Sequence, residues 1–511
     1  MTQRKRIELG YSDFKEFMLS NNYFVDKTML IYELFWQGAY ISLIPRPKRF
    51  GKTLNLSMIE HFFDIQKPES AKFFDDFEIT KHKDFCKEHQ NKYPVINISL
   101  KSIKETNWNS CLNKFKGLVS DLYKKNKYLL KSDKLEKEEK QLFNNIILET
   151  ANTTKYKESL LKLSQYLRKH FNQKVVILID EYDAPIITAF NNTNNPIKSI
   201  DKEKKTYYEE VINFMQGFLG DAYKGNDINL KKGFLTGVMR VGKESIFSEW
   251  NNFHVYGTTI PYFSDKFGFT QQETEKILTY FGLDNKISDV KKWYDGYQFG
   301  KTAQIYNPWS VVSYIANKES GFKPYWVNSG DYSLIKNRIL ELGVKDSIKN
   351  LIEGKTIDKE LKDNFVFQDF ETDNELLWTL LTYNGYLTQA GESKYGNYKM
   401  KIPNNEIKIV FTDIIMTWLN REVKIKRDLL ISTAEDLINN RIKDFEIGFK
   451  KIIGDTISYF DTANKTVETN GVSETIITNS QPRFFGEQIY HVYILGLLAI
   501  LTDDYIIKSN R

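Results

Sequence analysis

The sequence predicts an α/β protein built on a doubly wound parallel sheet. An apolar run, residues 41–44, leads into a turn that ends Gly51-Lys52-Thr53, and helical periodicity follows to residue 63. A second apolar, β-branched run, residues 175–179, ends in two acidic residues. Such runs are typical of strands that are buried on both faces of a parallel sheet, between two layers of helices.

Three further runs complete the predicted sheet, and amphipathic stretches such as Tyr156–Phe171 and Tyr207–Gly220 separate them as helices. The glycine fingerprint of dinucleotide-binding folds is absent, which argues against a Rossmann oxidoreductase. In chain order the five predicted strands are Tyr40–Ile44, Pro94–Leu100, Val175–Asp180, Gly233–Val238 and Phe253–Thr258.

The turn after the first strand has the character of a phosphate-binding loop. In such loops backbone N–H groups and a helix N-terminus hold phosphate oxygens, and a lysine, here Lys52, adds a point charge. The usual pattern opens with glycine, whereas this chain has Arg46, which makes the loop stiffer and more cationic. The residues assigned to nucleotide binding are Arg46, Pro47, Lys48, Arg49, Phe50, Gly51, Lys52, Thr53 and Leu54.

The acids at the end of the third strand are predicted to complete the site, because ligands bind at the carboxyl ends of strands in open α/β sheets. Asp180 is placed to hold Mg²⁺ through its waters, together with Thr53. Glu181 is the candidate that polarises the attacking water in phosphoryl transfer. The fourth strand ends beside Arg240, which we assign to sensing the γ-phosphate, with Lys243 as the second choice.

These segments together resemble the bacterial AAA-ATPase-like family, and the similarity spans nearly the whole chain. In that family the first glycine of the phosphate loop is commonly arginine, as at Arg46. The resemblance implies the strand order of P-loop ATPases with an additional central strand, and a C-terminal region like a PD-(D/E)XK nuclease. The segments that carry it are Tyr23–Thr28, Arg46–Thr53, Ile179–Asp183, Gly237–Phe247, Trp293–Tyr297, Tyr306–Ser310 and Tyr325–Ser329.

Composition excludes several classes of protein. The chain has 511 residues and 41% hydrophobic content, enough for two or three domains with proper cores. Its two cysteines exclude a disulfide framework and a cysteine zinc site, and its six histidines lack metal-ligand spacing. The basic N-terminus lacks the apolar core of a signal peptide, and no apolar run is long enough to span a bilayer. A cytoplasmic bacterial protein is expected.

We expect three domains: a P-loop ATPase-like domain (1–266), a helical lid or winged-helix-like domain (267–396), and a partial nuclease-like region (397–511). Residues 484–501 resemble the first helix of the nuclease domain, and the following residues resemble its first strand. The chain stops at Arg511, before the metal-binding hairpin, so no nuclease activity is expected. Helix 487–501 is apolar nearly all round and is a candidate surface for a protein partner or self-association.

Three functional hypotheses remain open. The first is an ATPase that binds Mg-ATP and hydrolyses it slowly, with Lys52, Glu181 and Arg240 as catalytic residues. The second is a nucleotide-switched binding or scaffold protein without significant turnover. The third is association with DNA through lysine-rich helices such as Lys124–Lys140, which the small net charge of +6 permits without favouring it.

Overall fold

The computed structural model describes residues 4–193, 205–239, 247, 252–326, 344–362, 373–392, 397–423 and 427–461. The chain forms two compact units. One comprises Met1–Gly330 and Lys359–Tyr398, and the other comprises Asp331–Asp358 and Lys399–Arg511. Arg240, Lys243 and the segment 487–501, which was predicted to be a helix, lie outside the described residues.

A five-stranded parallel sheet forms the centre of the first unit. The strands are β1 (Ile41–Pro45), β2 (Val95–Ser99), β3 (Val175–Asp180), β4 (Leu230–Gly237) and β5 (Phe253–Val255), in the spatial order β2-β3-β4-β1-β5. Each neighbouring pair is parallel. All five predicted strands are confirmed, and β4 lies between β1 and β3, which is the additional central strand that the resemblance implies.

Helices precede, separate and follow the strands along the chain. Their apolar faces cover the sheet. The core between sheet and helices is rich in aliphatic and phenylalanine side chains, such as Leu178 in β3 and Phe62 in α3. The helices up to residue 316 are α1 (Phe14–Leu19), α2 (Met29–Trp36), α3 (Lys52–Phe63), α4 (Lys83–His89), α5 (Trp108–Lys125), α6 (Lys137–Ile147), α7 (Thr153–Lys157), α8 (Ser159–Phe171), α9 (Ala184–Asn192), α10 (Tyr207–Tyr223), α11 (Gln271–Tyr280), α12 (Ile287–Tyr294) and α13 (Pro308–Ala316).

Two helical predictions differ from the structure. The single helix predicted over Tyr156–Phe171 is two helices, α7 and α8, and the Ser159 hydroxyl donates to the Tyr156 carbonyl at 2.7 Å where they meet. A serine that bonds nearby backbone in this way competes with the helical pattern. The lysine-rich stretch Lys124–Lys140 is not one helix, since α5 ends at Lys125, a 3₁₀ turn spans Lys127–Lys131, and α6 begins only at Lys137.

The region predicted as a helical lid also contains strands. A two-stranded antiparallel hairpin joins β6 (Tyr297–Phe299) to β7 (Thr302–Ile305). Helix Leu376–Tyr383 follows, and it ends near Gly385, which has a positive φ of 85° as glycine permits. Short strands β8 (Ile357–Lys359), β9 (Thr388–Glu392) and β10 (Tyr398–Lys401) complete the described strands.

The second unit is helical in its described residues outside the short strands. Helix Arg427–Ile438 packs on helix Ile442–Asp461, and a Cβ at Gly448 would collide with the Thr433 side chain. The glycine therefore permits close approach of the two helices. The other helices in the described part of this unit are Lys345–Ile352 and Asn405–Val423. None of the helices in the described ranges has the length and apolar character needed to cross a membrane.

Candidate functional site

The ends of three neighbouring strands bring the predicted site residues to one edge of the sheet. β4 pairs with β1 at Pro45 and Gly237, and with β3 at Ile179 and Leu235. The loop after β1, the acids at the end of β3 and the end of β4 therefore face the same space. Lys52 and Asp180 are far apart in the sequence, and the order of the strands in the sheet places both at this edge.

The phosphate loop contains two residues with left-handed backbone, Arg49 at φ 69° and Gly51 at φ 84°. Among the described residues, the N–H groups of Lys48, Arg49 and Gly51 donate no hydrogen bond. Gly51 is followed at once by α3, whose first N–H groups have no intrahelical acceptor. Alternation of right- and left-handed residues directs such N–H groups into a common concavity that suits an anion.

Lys52 lies at the base of this loop and is almost completely buried. Its ammonium donates to the Arg46 carbonyl at 3.0 Å and to the Pro47 carbonyl at 3.2 Å. The same ammonium lies 3.4 Å from Glu181 Oε1. The lysine is therefore surrounded by oxygen atoms of the kind that phosphate would replace.

Glu181 occupies a strained position beside that lysine, because its φ of 51° is unusual for a residue with a side chain. Burial raises the pKa of its carboxyl, but the nearby ammonium groups of Lys52 and Lys48 outweigh it, and the net pKa is lowered. Burial in turn lowers the pKa of Lys48, and Glu181 offsets this only in part. Glu181 is thus ionised at neutral pH and can accept a proton or orient water.

Asp180 joins β3 to both neighbouring elements. Its Oδ2 accepts a 2.7 Å hydrogen bond from the hydroxyl of Thr53 in α3, and its Oδ1 accepts a 2.6 Å bond from the hydroxyl of Thr236 in β4. A carboxylate and a hydroxyl are ligands that Mg²⁺ accepts, so this pair fits the metal assigned to it. Within the described residues no group of three or more His, Cys, Asp and Glu could hold a metal ion alone. Phosphate oxygens and water would have to complete the coordination.

Asp183 is a member of the site that the sequence did not reveal. It is fully buried, and its Oδ2 accepts 2.8 Å hydrogen bonds from the N–H groups of Val238 and Met239. Burial and the charge of Glu181 raise its pKa to about 7, against the lowering effect of those two bonds. The carboxyl holds the two residues that directly follow β4. In the sequence, Asp183 is distinguished only by its position three residues after Asp180, and an acidic residue of an ordinary exposed turn could occupy the same position.

The Arg46 side chain is buried next to the loop, although its charge had suggested that it would make the loop more cationic. The side chain is fully buried, and its guanidinium donates to the carbonyls of Pro45 at 2.8 Å, Tyr256 at 2.7 Å and Phe263 at 3.3 Å. Burial lowers its pKa to about 9. Its side chain is thus committed to protein carbonyls, and it adds no exposed charge to the loop.

Other residues of the loop contact aromatic residues from the region after the sheet. The Arg49 guanidinium stacks over the Trp309 ring at 4.0 Å, and the Trp326 indole N–H donates to the Lys48 carbonyl at 3.0 Å. Phe50 is buried against Tyr297, with ring centroids 5.0 Å apart. Neither Trp309 nor Trp326 could be assigned to the site from the sequence, since no spacing pattern links residues more than 250 positions apart to the loop.

The other assigned residues divide into two groups. Pro47 is buried and lies next to Gly385, where a Cβ would be 2.9 Å from the proline ring, while Leu54 is half-buried against the core beneath α3. Arg240 and Lys243 lie outside the part of the chain that the structure describes. Their assignment as γ-phosphate sensors stays a prediction.

Comparison with known proteins finds a family model, a curated relative and a solved structure that are similar to this chain. The family model described as "Predicted AAA-ATPase" matches residues 8–247. An uncharacterised protein from Azotobacter chroococcum mcd 1, encoded in the vnfD 5′ region, is 24% identical over 424 residues, which is 81% of this chain and 70% of that protein. A solved structure, the Walker-type ATPase PABY2304 of Pyrococcus abyssi, aligns at 12% identity and a TM-score of 0.39, over 80% of this chain and 99% of that one.

The matched segment contains the phosphate loop, the acidic end of β3 and all of β4, which are the elements that build the site described above. Residues 8–247 of this chain are thus similar to the family of predicted AAA-ATPases.

Proposed function

We propose that the protein binds Mg-ATP and hydrolyses it slowly. The observation that carries this proposal is that four side chains meet at one edge of the sheet. The Lys52 ammonium lies 3.4 Å from Glu181 Oε1, and the Thr53 hydroxyl donates to Asp180 Oδ2 at 2.7 Å. Lysine, a metal-binding hydroxyl and carboxylate, and a second carboxylate are the parts that phosphoryl transfer needs, because its catalysis is positioning and charge compensation.

Each residue has a distinct task in this scheme. The free N–H groups of the loop and the start of α3 would hold the β- and γ-phosphate oxygens. Lys52 would exchange the carbonyls of Arg46 and Pro47 for phosphate oxygens, and this would release Glu181 to orient the attacking water. Thr53 and Asp180 would hold Mg²⁺, which would neutralise charge on the phosphates. Arg240 would sense the γ-phosphate.

Purified protein with Lys52→Ala and Glu181→Gln variants tests this directly. Equilibrium binding of ATP and release of phosphate with Mg²⁺ are measured on all three proteins. We expect Lys52→Ala to lose tight binding, because the point charge at the loop is removed. Glu181→Gln should keep binding and lose turnover, since the amide retains the shape of the carboxylate without its charge. Hydrolysis at the wild-type rate by both variants would contradict the assignment.

The alternative is a nucleotide-switched binding or scaffold protein without significant turnover. The contacts of Lys52 favour this alternative, because its ammonium must break its contacts with two carbonyls and the Glu181 carboxylate before it can bind phosphate. Nucleotide that stays bound through purification, with no turnover in wild type or in Glu181→Gln, would select this alternative.

The proposed arrangement beyond the ATPase-like domain keeps the boundaries 1–266, 267–396 and 397–511. A nuclease-like C-terminal region, and self-association or protein binding through the helix predicted over residues 487–501, are part of this proposal. Light scattering on wild type and Ile494→Asp tests it, because a monomeric wild type whose solubility the substitution leaves unchanged would contradict an exposed apolar helix. Binding of DNA would have to show strong salt dependence.

A further inference from the structure

The phosphate loop contains an arginine where its backbone favours glycine. Arg49 has a φ of 69°, which lies in the left-handed region. Apart from glycine, asparagine and aspartate, residues rarely adopt this backbone conformation. Gly51, two residues later, has the same handedness without strain. Both left-handed residues are needed if the N–H groups of residues 48–51 are to converge on an anion. Something must therefore hold Arg49 in this conformation.

The contact that holds it is the Trp309 ring. The Arg49 guanidinium lies 4.0 Å from the centroid of that ring, within the range of a strong cation–π contact. The ring is itself fixed, because the indole N–H donates to the Tyr325 carbonyl at 3.3 Å. Trp309 also follows Asn307 and Pro308 at the start of α13, where the Asn307 side chain caps the helix. The arginine therefore rests on a rigid surface.

The residues on both sides of Arg49 are anchored to the same region. The carbonyl of Lys48 accepts a hydrogen bond from the Trp326 indole at 3.0 Å, and the carbonyl of Phe50 accepts one from the Gly268 N–H at 3.3 Å. These contacts use carbonyls and side chains, and they leave the N–H groups of Lys48, Arg49 and Gly51 available in the described structure. The loop is thus supported through its carbonyls and side chains, and these contacts do not use the three N–H donors.

We propose that Trp309 is a positioning residue for nucleotide binding, which keeps Arg49 in the left-handed conformation that forms the phosphate-binding concavity. This inference rests on the proposed function, because it requires that the loop binds nucleotide phosphates. The contact with Trp309 also explains how arginine is tolerated at this position, because it offsets the backbone strain that would otherwise favour another loop conformation. The ligand class is the phosphate chain of a nucleoside di- or triphosphate.

The test is a thermodynamic cycle with Arg49→Gly and Trp309→Ala, measured as the affinity for ADP by titration calorimetry. Trp309→Ala alone should weaken binding about fivefold, which corresponds to about 1 kcal/mol. Glycine adopts positive φ freely, so Trp309→Ala should have little effect in a protein that already has Arg49→Gly. Trp309→Phe retains an aromatic face and should keep affinity within about twofold of wild type. Trp36→Ala, which removes an exposed tryptophan of α2, is the matched control.

Two results would overturn the inference. The first is unchanged ADP affinity in Trp309→Ala. The second is an equal loss from Trp309→Ala in the wild-type and Arg49→Gly backgrounds, because this would show a general structural role that is independent of backbone strain. Failure of the wild-type protein to bind ADP or ATP would instead contradict the proposed function itself, and the cycle separates the two cases.

Discussion

At the scale of single residues, Arg46 and Asp183 show opposite ways of burying an ionisable group beside the phosphate loop. Arg46 donates to three backbone carbonyls and faces two aromatic rings, those of Phe267 and Phe299. Asp183 accepts from two backbone N–H groups. Each thereby satisfies backbone groups that burial would otherwise leave unpaired. Arg46 retains its proton at neutral pH, whereas the raised pKa of Asp183 makes that residue sensitive to pH.

Asp183 should make the stability of the protein depend on pH. Its pKa of about 7 lies above the value of a free aspartate, mainly because burial disfavours the charged form and Glu181 repels it. The folded protein therefore binds more protons than the unfolded chain from about pH 4 to about pH 7, and this group's contribution to the free energy of unfolding falls as pH rises through that window.

Urea unfolding midpoints at pH 5 and pH 8 check this for wild type and Asp183→Asn. The asparagine keeps an acceptor oxygen for Val238 and Met239 but cannot ionise. We expect the stability of the variant relative to wild type to be higher at pH 8 than at pH 5. The same difference at both pH values would show that Asp183 does not titrate in this range.

At the scale of elements, the close contact of helix α10 with strand β4 depends on one glycine. A Cβ at Gly233 would lie 2.9 Å from Tyr223 Cδ1, and nearer still to the adjacent ring carbon. Tyr223 is fully buried and cannot move aside. The glycine is therefore required for packing, although its position in a strand would otherwise weaken the sheet.

Gly233→Ala should lower the free energy of unfolding by about 1–3 kcal/mol, because it overpacks a rigid core. Gly220→Ala in the same helix is the matched control, since no atom lies within 4 Å of the added Cβ. Alanine there should raise stability by about 0.5–1 kcal/mol, as expected for a helix interior. Chemical denaturation of the three proteins measures both effects, and equal destabilisation by the two substitutions would contradict this account of the contact.

At the scale of the whole molecule, nucleotide binding should stabilise the unit that holds the site. Any ligand that binds only the folded state raises its stability, by about 2.7 kcal/mol at a concentration 100 times the dissociation constant. We expect Mg-ATP or Mg-ADP to raise the midpoint of thermal unfolding by several degrees in wild type and not in Lys52→Ala. Scanning fluorimetry at several nucleotide concentrations measures the shift, and equal shifts in both proteins would place binding away from the loop.

Much of the fold was predictable because its signals are local. An apolar run that ends in acids predicts a buried strand wherever it occurs, and Gly51-Lys52-Thr53 after such a run predicts a loop that enters a helix. The five strands and the start of α3 follow from these patterns. The hairpin β6–β7 was missed because its strands have only three and four residues, too few to show an alternating pattern.

The strands of the sheet, the phosphate loop and the two acids after β3 could be predicted from the sequence, because apolar periodicity and short motifs are properties of neighbouring residues. Their surroundings depend on tertiary packing. It buried Arg46 among carbonyls, set Asp183 against the end of β4, and stacked Arg49 on Trp309. These contacts join residues between about 55 and 260 positions apart, so their partners are chosen by strand order and packing, which no local pattern encodes.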